Sequence, residues 1–451
     1  MVWWGANARL SRGLVAVVAI LVFLSLYQSG RLSHELHAQG QELGLRDVSR
    51  IHPNTRRELL GDGSREATLV ARYIQLHDAA MALPRVDAPG INATAGSSSS
   101  AKPKVTLVVC AGDPTKFWAG ELREGVDASC NVPCNVTYDR KRDSEASIFA
   151  VVLDRAEWGD TKSISPPLPT GAGESGDRHV LGITLENNMG RRLAQPAHRS
   201  TQLPFEQRAR AKGKFDFSLI ATYELDSLLP ILYPEFPLFV DEHKSSTREG
   251  LTADAERRHA KIFVAISNCH AAIVPNRLSL AEDMSAASGV PLASFGRCLE
   301  DPAARREMEG LERGSGEYIN VMRRHLWCFV PENSYGTDYV TEKVWHALRS
   351  GCVPIYMGAP NVAAFLPSRD AVVHVQDFPT VDALANYIRR LTKDRRLLVE
   401  KHQAWREAAR LPQHMYDLER LSEKHAGSSF ACRVCHCARG HLGCPSPAAP
   451  P

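Results

Sequence analysis

The chain lacks charge of one dominant sign. Its 451 residues carry 54 lysines and arginines against 51 aspartates and glutamates, a formal net charge of +3, and no acidic or basic tail. This excludes a disordered or nucleic-acid-coating protein, and no nucleic-acid partner is expected. No internal repeat with a period of about 20–50 residues is visible, which argues against solenoids and propellers. No Asp-x-Asp occurs anywhere, removing one compact way of holding a divalent ion. His270, His325 and His346 stand at no ligand-type spacing from one another and are expected to be structural. What is present is a 44% hydrophobic chain too long for a single core, so about two to three folded units are expected. The 11 cysteines, an odd number, leave at least one thiol free or paired between chains.

Charge is also missing from Gly13 to Ser29, where Leu14 to Tyr27 is almost wholly aliphatic and Arg9 and Arg12 precede it. Such a stretch covers roughly 25 Å as a helix, enough for a thin membrane. By the positive-inside rule, residues 1–12 are a cytosolic tail, 13–29 a single-pass type II signal-anchor, and the remainder lumenal. A cleaved signal peptide is the competing reading, although no convincing small-residue cleavage site follows Tyr27. Either reading places the bulk of the chain in the secretory pathway. Disulfides are allowed there, and the sequons at Asn92 and Asn135 are candidate glycan acceptors. Residues 30–103 are polar and mixed in charge, with a helix expected around Glu66 to Leu83 and a run of serine from Ser97 to Ser100. They read as a stem, or as an extension without a role.

After Pro103 the pattern turns to short, continuous apolar runs, the mark of parallel strands covered on both faces. Strands are expected at Val105–Cys110, Ile148–Leu153, Val180–Leu185, Phe217–Ala221, Ile262–Ser267, Pro291–Phe295, Leu326–Val330, Val353–Met357 and Val372–Val375. Helices are expected at Asn276–Ala287, Tyr339–Ser350, Val381–Leu391 and Arg396–Ala408. Such alternation makes an α/β protein. The polar stretch from Phe236 to Arg258 divides it into Rossmann-like units at 104–240 and 258–425, followed by a Cys-rich tail at 426–451. Two such units leave a cleft lined by the carboxyl ends of their strands.

The most informative stretch runs from Leu326 to Pro367. It reads as a buried strand ending in Glu332-Asn333-Ser334, a turn through Gly336, and a helix beginning near Thr337 or Asp338. A helix start after a parallel strand offers free N–H groups and a positive dipole end to a phosphate. Lys343 adds a mobile positive charge, and the Glu342 carboxylate has the oxygens to accept from two sugar hydroxyls. Adjacent residues point roughly 100° apart on a helix, so the two are expected to address different parts of one ligand rather than each other. The ordinary alternative is a Glu-Lys pair on a solvated helix face.

This segment resembles the donor-binding signature of the α1,3-fucosyltransferases. The matching residues are Phe329, Glu332, Asn333, Ser334, Asp338, Tyr339, Val340, Thr341, Glu342, Lys343, Val353, Pro354, Gly358 and Pro360. The likeness continues upstream through Ser267-Asn268-Cys269, Arg277, Phe295-Gly296-Arg297-Cys298 and Thr222-Tyr223-Glu224, and covers most of 180–410. The turn Gly358-Ala359-Pro360-Asn361 is similar to the plant-type branch that modifies N-glycan cores. Pro331, Ala363 and Ala364 depart from the family pattern.

The resemblance implies a GT-B fold, with the acceptor-side domain at 104–240 and the GDP-fucose-binding domain at 258–425. It implies fucose transfer from GDP-fucose, with inversion, to a GlcNAc 3-hydroxyl of glycoprotein glycans, in the Golgi membrane. Arg277 and Lys343 would neutralise the diphosphate, Asn333 and Tyr339 would line the donor pocket, and Glu342 would bind the ribose. Inversion needs one general base, for which Glu186 is the candidate and Glu224 the runner-up. No cofactor is expected, a divalent ion being at most stimulatory, because arginine, lysine and a helix end can supply the charge. The other readings are a different GT-B nucleotide-sugar transferase and a catalytically silent glycan-binding relative. At the C-terminus, Cys432-Arg-Val-Cys435 is expected to form a local bridge that ties the tail to the body, as in the resembling plant-type enzymes, with zinc as the alternative. Cys130 and Cys134 are expected to bridge locally.

Overall fold

The computed structural model describes residues 64–82, 105–111, 124–126, 130–132, 134–152, 178–184, 219–233, 235–269, 277–299, 301–333, 335–421 and 429–442. The expected anchor at 13–29, Asn92 and Glu186 lie outside these residues. Among the described residues no helix is long and apolar enough to cross a membrane.

The apolar runs become two largely parallel sheets. Helix α1 (Ser64–Met81) precedes them. The first sheet holds β1 (Val105–Ala111), β2 (Gly125–Val126), β3 (Cys134–Thr137), β4 (Ile148–Val152), β5 (His179–Thr184), β6 (Leu219–Thr222) and β7 (Leu229–Pro230), in the order β2-β3-β1-β4-β5-β6-β7. Only its edge pair, β2 with β3, runs antiparallel. Helices α2 (Glu235–Asp241) and α3 (Arg248–Arg257) occupy the stretch expected to be a polar interruption.

The second sheet is built from β8 (His259–Val264), α4 (Arg277–Ser288), β9 (Leu292–Ser294), α5 (Pro302–Glu307), α6 (Gly316–Arg323) and β10 (His325–Pro331). It continues with α7 (Glu342–Ser350), β11 (Val353–Met357), β12 (Val373–His374), α8 (Val381–Lys393), α9 (Arg395–His402), α10 (Gln413–Glu419) and α11 (Phe430–Ala438). Its strands lie in the order β12-β11-β10-β8-β9, all parallel. The short strands β2, β3 and β7 are the ones sequence reading missed, because two- and four-residue segments carry no sustained apolar run.

Every residue of β10 is buried. Successive side chains leave a strand on opposite faces, so Trp327 and Phe329 enter one apolar cluster with Ile262, Ile355 and Ile388, whereas Cys328 and Val330 enter another. Each fully buried aliphatic or aromatic side chain of this kind contributes about 1.5–3 kcal/mol. Helix α8 shows why it seats there. Leu384, Ala385, Ile388 and Leu391 share its buried face, and Thr380 caps its start by accepting from Ala383 N at 3.1 Å.

Both ends of the described chain return to the body. On α1, Glu66, Val70, Tyr73 and Ala80 form one buried stripe, and Asn131 Nδ2 donates to Ala80 O at 3.1 Å. Part of the expected stem is thus a docked helix. Helix α11 is buried along its whole length and packs on β1 and β3.

The cysteines correct several expectations. Cys432 pairs with Cys130 and Cys435 with Cys134, so neither the local Cys432–Cys435 bridge nor a Cys130–Cys134 bridge forms. The reason is geometric. Cys432 and Cys435 lie three residues apart on one helical face that looks onto Cys134 of β3 and Cys130 just before that strand. With these sulfurs consumed, the alternative of a zinc site falls as well. Cys269 pairs with Cys298, and Cys328 with Cys352. The glycan expected at Asn135 meets a second correction: the residue lies in β3 with 5% exposure, and its Nδ2 is buried. The folded chain does not present it to solvent.

Candidate functional site

The second sheet delivers the site at the carboxyl ends of its strands. β10 ends at Pro331, which pairs with Met357 of β11, and the next residue's N–H continues the ladder from Glu332 N to Met357 O at 2.8 Å. Pro331 is therefore accommodated as a strand terminus. The Glu332 side chain turns inward and is fully buried. It accepts from Thr341 N at 2.8 Å, Thr341 Oγ1 at 2.6 Å and Lys343 Nζ at 3.3 Å. Burial pushes this carboxyl above the usual range, and the Lys343 ammonium opposes the push. A Cβ at Gly358 would collide with Glu332 Cγ and Tyr356 Oη, so glycine is the residue that fits the turn after β11.

Helix α7 begins later than the sequence reading placed it. Thr341 is its N-cap, and its hydroxyl serves Glu332 rather than the helix. The residues before it are not helical: Asp338 has φ +65°, the left-handed region, and holds that conformation through its side chain. The Asp338 carboxylate accepts from Asn361 Nδ2 at 2.7 Å and from Leu225 N at 3.0 Å, and Arg65 stands 3.4 Å away. Asp338 N donates to Asn361 Oδ1 at 2.9 Å. The neighbouring Tyr339 is thereby fixed, with its ring edge-on to Tyr223 at 5.1 Å.

These elements enclose a cavity of about 750 Å³ that all five expected donor-binding residues line: Arg277, Asn333, Tyr339, Glu342 and Lys343. Arg277, first residue of α4, donates from Nη1 to Asn333 Oδ1 at 3.0 Å and from Nη2 to Asn268 O. Its guanidinium is thus aimed by the two motif segments on either side. Arg297 and Arg313 line the same space. Neither stood among the expected site residues, though Arg297 lies in a quoted motif. Four cations therefore face one lining carboxylate, Glu342.

Glu342 and Lys343 do address each other, against expectation, with Lys343 Nζ 3.2 Å from Glu342 Oε1. The four-carbon stem curls back across the helix start, which the angular argument about Cβ directions does not capture. Arg313 stands 3.7 Å from Glu342. Burial would push the Glu342 carboxyl up, but Lys343, His346 and Arg313 outweigh it and hold the group below its ordinary value.

His346 also lines the cavity, a placement its spacing did not reveal. Its Nε2 is buried without a hydrogen-bond partner among the described residues and lies 4.0 Å from Glu235 Oε1. Burial lowers His346 to about 4 and raises Glu235 to about 7, the latter aided by the Glu342 charge. The runner-up base Glu224 follows β6 and donates its N–H to Thr222 Oγ1 at 3.0 Å. β5 ends two residues before Glu186, itself outside the described residues.

A cationic cavity at a strand-to-helix junction, gripped by an Arg–Asn pair and a Lys–Glu pair, is suited to an anionic leaving group. Known sequences carry the same stretch: residues 255–442 match the family described as glycosyltransferase family 10 (fucosyltransferase), C-terminal part. This region is thus similar to a family 10 glycosyltransferase domain. GDP-fucose protein O-fucosyltransferase 3 of Homo sapiens is 27% identical over 156 residues, which cover 32% of this chain and 32% of that protein. The Xenopus tropicalis protein of that name is 30% identical over 112 residues, covering 25% of this chain and 24% of its own. The matched part thus spans about a third or less of these curated relatives. Among solved structures, an α1,3-fucosyltransferase crystal structure aligns with 75% of this chain and 96% of its own, at 15% identity and a TM-score of 0.45. Another, of α1,3-fucosyltransferase with GDP-fucose, aligns with 78% of this chain and 96% of its own, at 13% identity and a TM-score of 0.39.

Proposed function

We propose that this chain is an inverting GT-B fucosyltransferase that takes fucose from GDP-fucose and places it on a glycoprotein acceptor. The observation that carries the reading is the cavity in which Arg277 and Lys343 converge beside Asn333, Tyr339 and Glu342. In the proposed reaction an acceptor hydroxyl oxygen attacks the fucose anomeric carbon as the bond from that carbon to the diphosphate oxygen breaks. Glu186 takes the hydroxyl proton, and GDP leaves with the bonding pair. Arg277 and Lys343 stabilise the departing diphosphate through charge-assisted hydrogen bonds. Glu342 receives the ribose hydroxyls through both oxygens of an ionised carboxylate, the state its cationic neighbours favour.

For the acceptor, the reading from the signature is a GlcNAc 3-hydroxyl of an N-glycan core. A second reading, transfer to a protein hydroxyl, is favoured by the name of the relatives, protein O-fucosyltransferase. The Golgi lumen, with residues 13–29 as a type II membrane anchor, is the proposed location. The pairing of Cys130, Cys134, Cys269, Cys298, Cys328, Cys352, Cys432 and Cys435 supports an oxidising compartment.

The test offers the chain GDP-fucose or UDP-sugars with three acceptors: a glycopeptide ending in GlcNAc, the same peptide without glycan, and a folded unglycosylated domain. Transfer from GDP-fucose alone is expected, and the acceptor that is labelled selects between the two readings. Equal use of a UDP donor overturns the fucosyl assignment. Arg277→Ala and Lys343→Ala are expected to weaken GDP-fucose binding, and Glu186→Gln to lose transfer while still binding donor. Near-normal turnover in the last variant would move the base elsewhere.

A further inference from the structure

The second sheet has another cleft at its opposite end. β8 and β10 start at His259 and His325, and Arg258, just before β8, and Arg323, two residues before β10, line a space of about 440 Å³ together with Arg349 and Arg406. Because the strands are parallel, this end is separated from the donor cavity by the length of the sheet. Among its lining residues the sole acid is Asp254. Asp254 is committed to Arg258, at 3.0 Å from Nε and 2.6 Å from Nη2. Arg349 binds Glu242, a surface carboxylate outside the lining, through Nε at 2.9 Å and Nη2 at 2.7 Å. The other two guanidinium groups meet only neutral amides among the described residues: Arg323 donates to Asn320 Oδ1 at 3.0 Å, and Arg406 to Gln403 Oε1 at 3.5 Å.

Positive charge in surplus is costly in a partly buried space. Two independent features indicate that the space is shaped for something that offsets it. Arg349, whose side chain is 9% exposed, keeps Nη1 buried with no hydrogen-bond partner among the described residues. Arg258 and Arg406 converge on one point: a Cβ added to the left-handed Gly351 would lie 2.8 Å from Arg258 Nη2 and 2.7 Å from Arg406 Nη1. The amino end of α3 faces the same cleft through Ser246, Thr247 and Gly250, adding its positive dipole end.

We propose that this cleft binds a phosphate- or sulfate-bearing small molecule, with Arg323 and Arg406 as its principal donors and Arg349 contributing charge. The planar forks of arginine match the oxygens of such groups. The volume lies within the range of small-molecule sites. The site is independent of the donor cavity and of the reaction proposed there.

Calorimetric titration of the full chain with inorganic phosphate, inorganic sulfate and a fully sulfated disaccharide tests it, with sodium chloride at matched ionic strength as reference. Saturable binding of at least one of these oxyanion probes is expected. It should persist in Lys343→Gln, whose change lies in the donor cavity, and weaken at least tenfold in the Arg349→Gln, Arg406→Gln double variant. Arg323→Glu reverses an exposed charge at the rim and should give the same loss if the double variant does not fold. Tighter binding of the disaccharide than of sulfate assigns the group to a carried ester, whereas equal binding assigns it to a free ion. The proposal is overturned if no probe exceeds the chloride reference, if binding survives Arg323→Glu, or if Lys343→Gln abolishes it.

Discussion

Replacing Lys343 by methionine keeps the apolar stem and removes one charge from between two acids. That charge lies 3.3 Å from Glu332 Oε2, 3.2 Å from Glu342 Oε1 and 2.8 Å from Thr341 Oγ1. Breaking a fully buried ion pair costs about 3–5 kcal/mol. The Lys343 side chain retains 24% exposure, so solvent screens part of the interaction and the expected loss at pH 7 is about 2 kcal/mol. For a unit of this size that lowers Tm by roughly 4–8 °C. The pH dependence has a definite sign. Burial already holds the folded Glu332 carboxyl above its ordinary value, and loss of the ammonium raises it further. A carboxyl raised by folding binds its proton more readily in the folded chain, so its penalty is absent below the unfolded value and grows as pH rises through the folded one. Glu342, held low in the intact chain, contributes stability above its ordinary value that is lost on acidification, and that contribution shrinks without Lys343. The gap in Tm between the variant and the intact chain should therefore widen from pH 5 to pH 8, measured by scanning calorimetry. A gap that is constant across this range, or absent, would refute the assignment of Lys343 as counter-ion to the buried pair.

Cys432→Ser alone should cost little, because Cys134–Cys435 still ties α11 to β3; the double replacement of Cys432 and Cys435 removes two closures of about 300 residues, leaves α11 only the bridge at Cys437 and should cost more, up to about 5 kcal/mol. Chemical denaturation of Cys432→Ser, Cys435→Ser and the double variant decides this, and strictly additive losses would contradict it. Gly358→Ala should lose about 1–3 kcal/mol through overpacking against Glu332 and Tyr356, read as a lower Tm; an unchanged Tm would mean that the turn has room to spare. Glu235→Gln should make acid destabilisation steeper. With Glu235 raised to about 7 and His346 lowered to about 4, the first gains stability and the second loses it as pH falls from 6.5 to 4.5, so their slopes oppose. Removing Glu235 leaves the His346 slope alone, and an unaltered Tm-versus-pH curve between 6.5 and 4.5 would sink this account.

Much of the architecture was legible because its signals are local. Each of the nine expected strands and the four expected body helices appears within a few residues of its place, since a buried parallel strand requires a continuous apolar run and a covering helix an apolar face. The five donor-side residues meet in one cavity because the motif places them on a single strand-turn-helix and on the start of α4. What escaped depends on distance in sequence. The partners of Cys432 and Cys435 lie 302 and 301 residues away, and no spacing rule reaches that far. Asn135 satisfied a sequon while its strand was buried by the rest of the sheet. Glu332 and Asp338 were quoted as motif matches but assigned no task, because a carboxylate that organises backbone looks in sequence like one that meets a ligand.

Asp338 shows what such an organising carboxylate does. Three segments remote from one another converge on it: the N–H of Leu225 from the first-sheet side, Asn361 from the turn after β11, and Arg65 from α1. Asn361 is shared further, donating to Glu66 Oε1 at 2.8 Å. Arg65 is nearly half exposed, and its ion pair adds little by itself. The buried bonds are different in kind, because losing any one leaves a polar group stranded away from water. Asp338 can occupy its left-handed conformation only while these bonds hold, and Tyr339 takes its direction from that backbone. The route from α1 to the cavity wall is therefore a short chain of buried hydrogen bonds, Glu66 to Asn361 to Asp338. A helix that precedes both sheets in sequence thereby becomes part of what shapes the site.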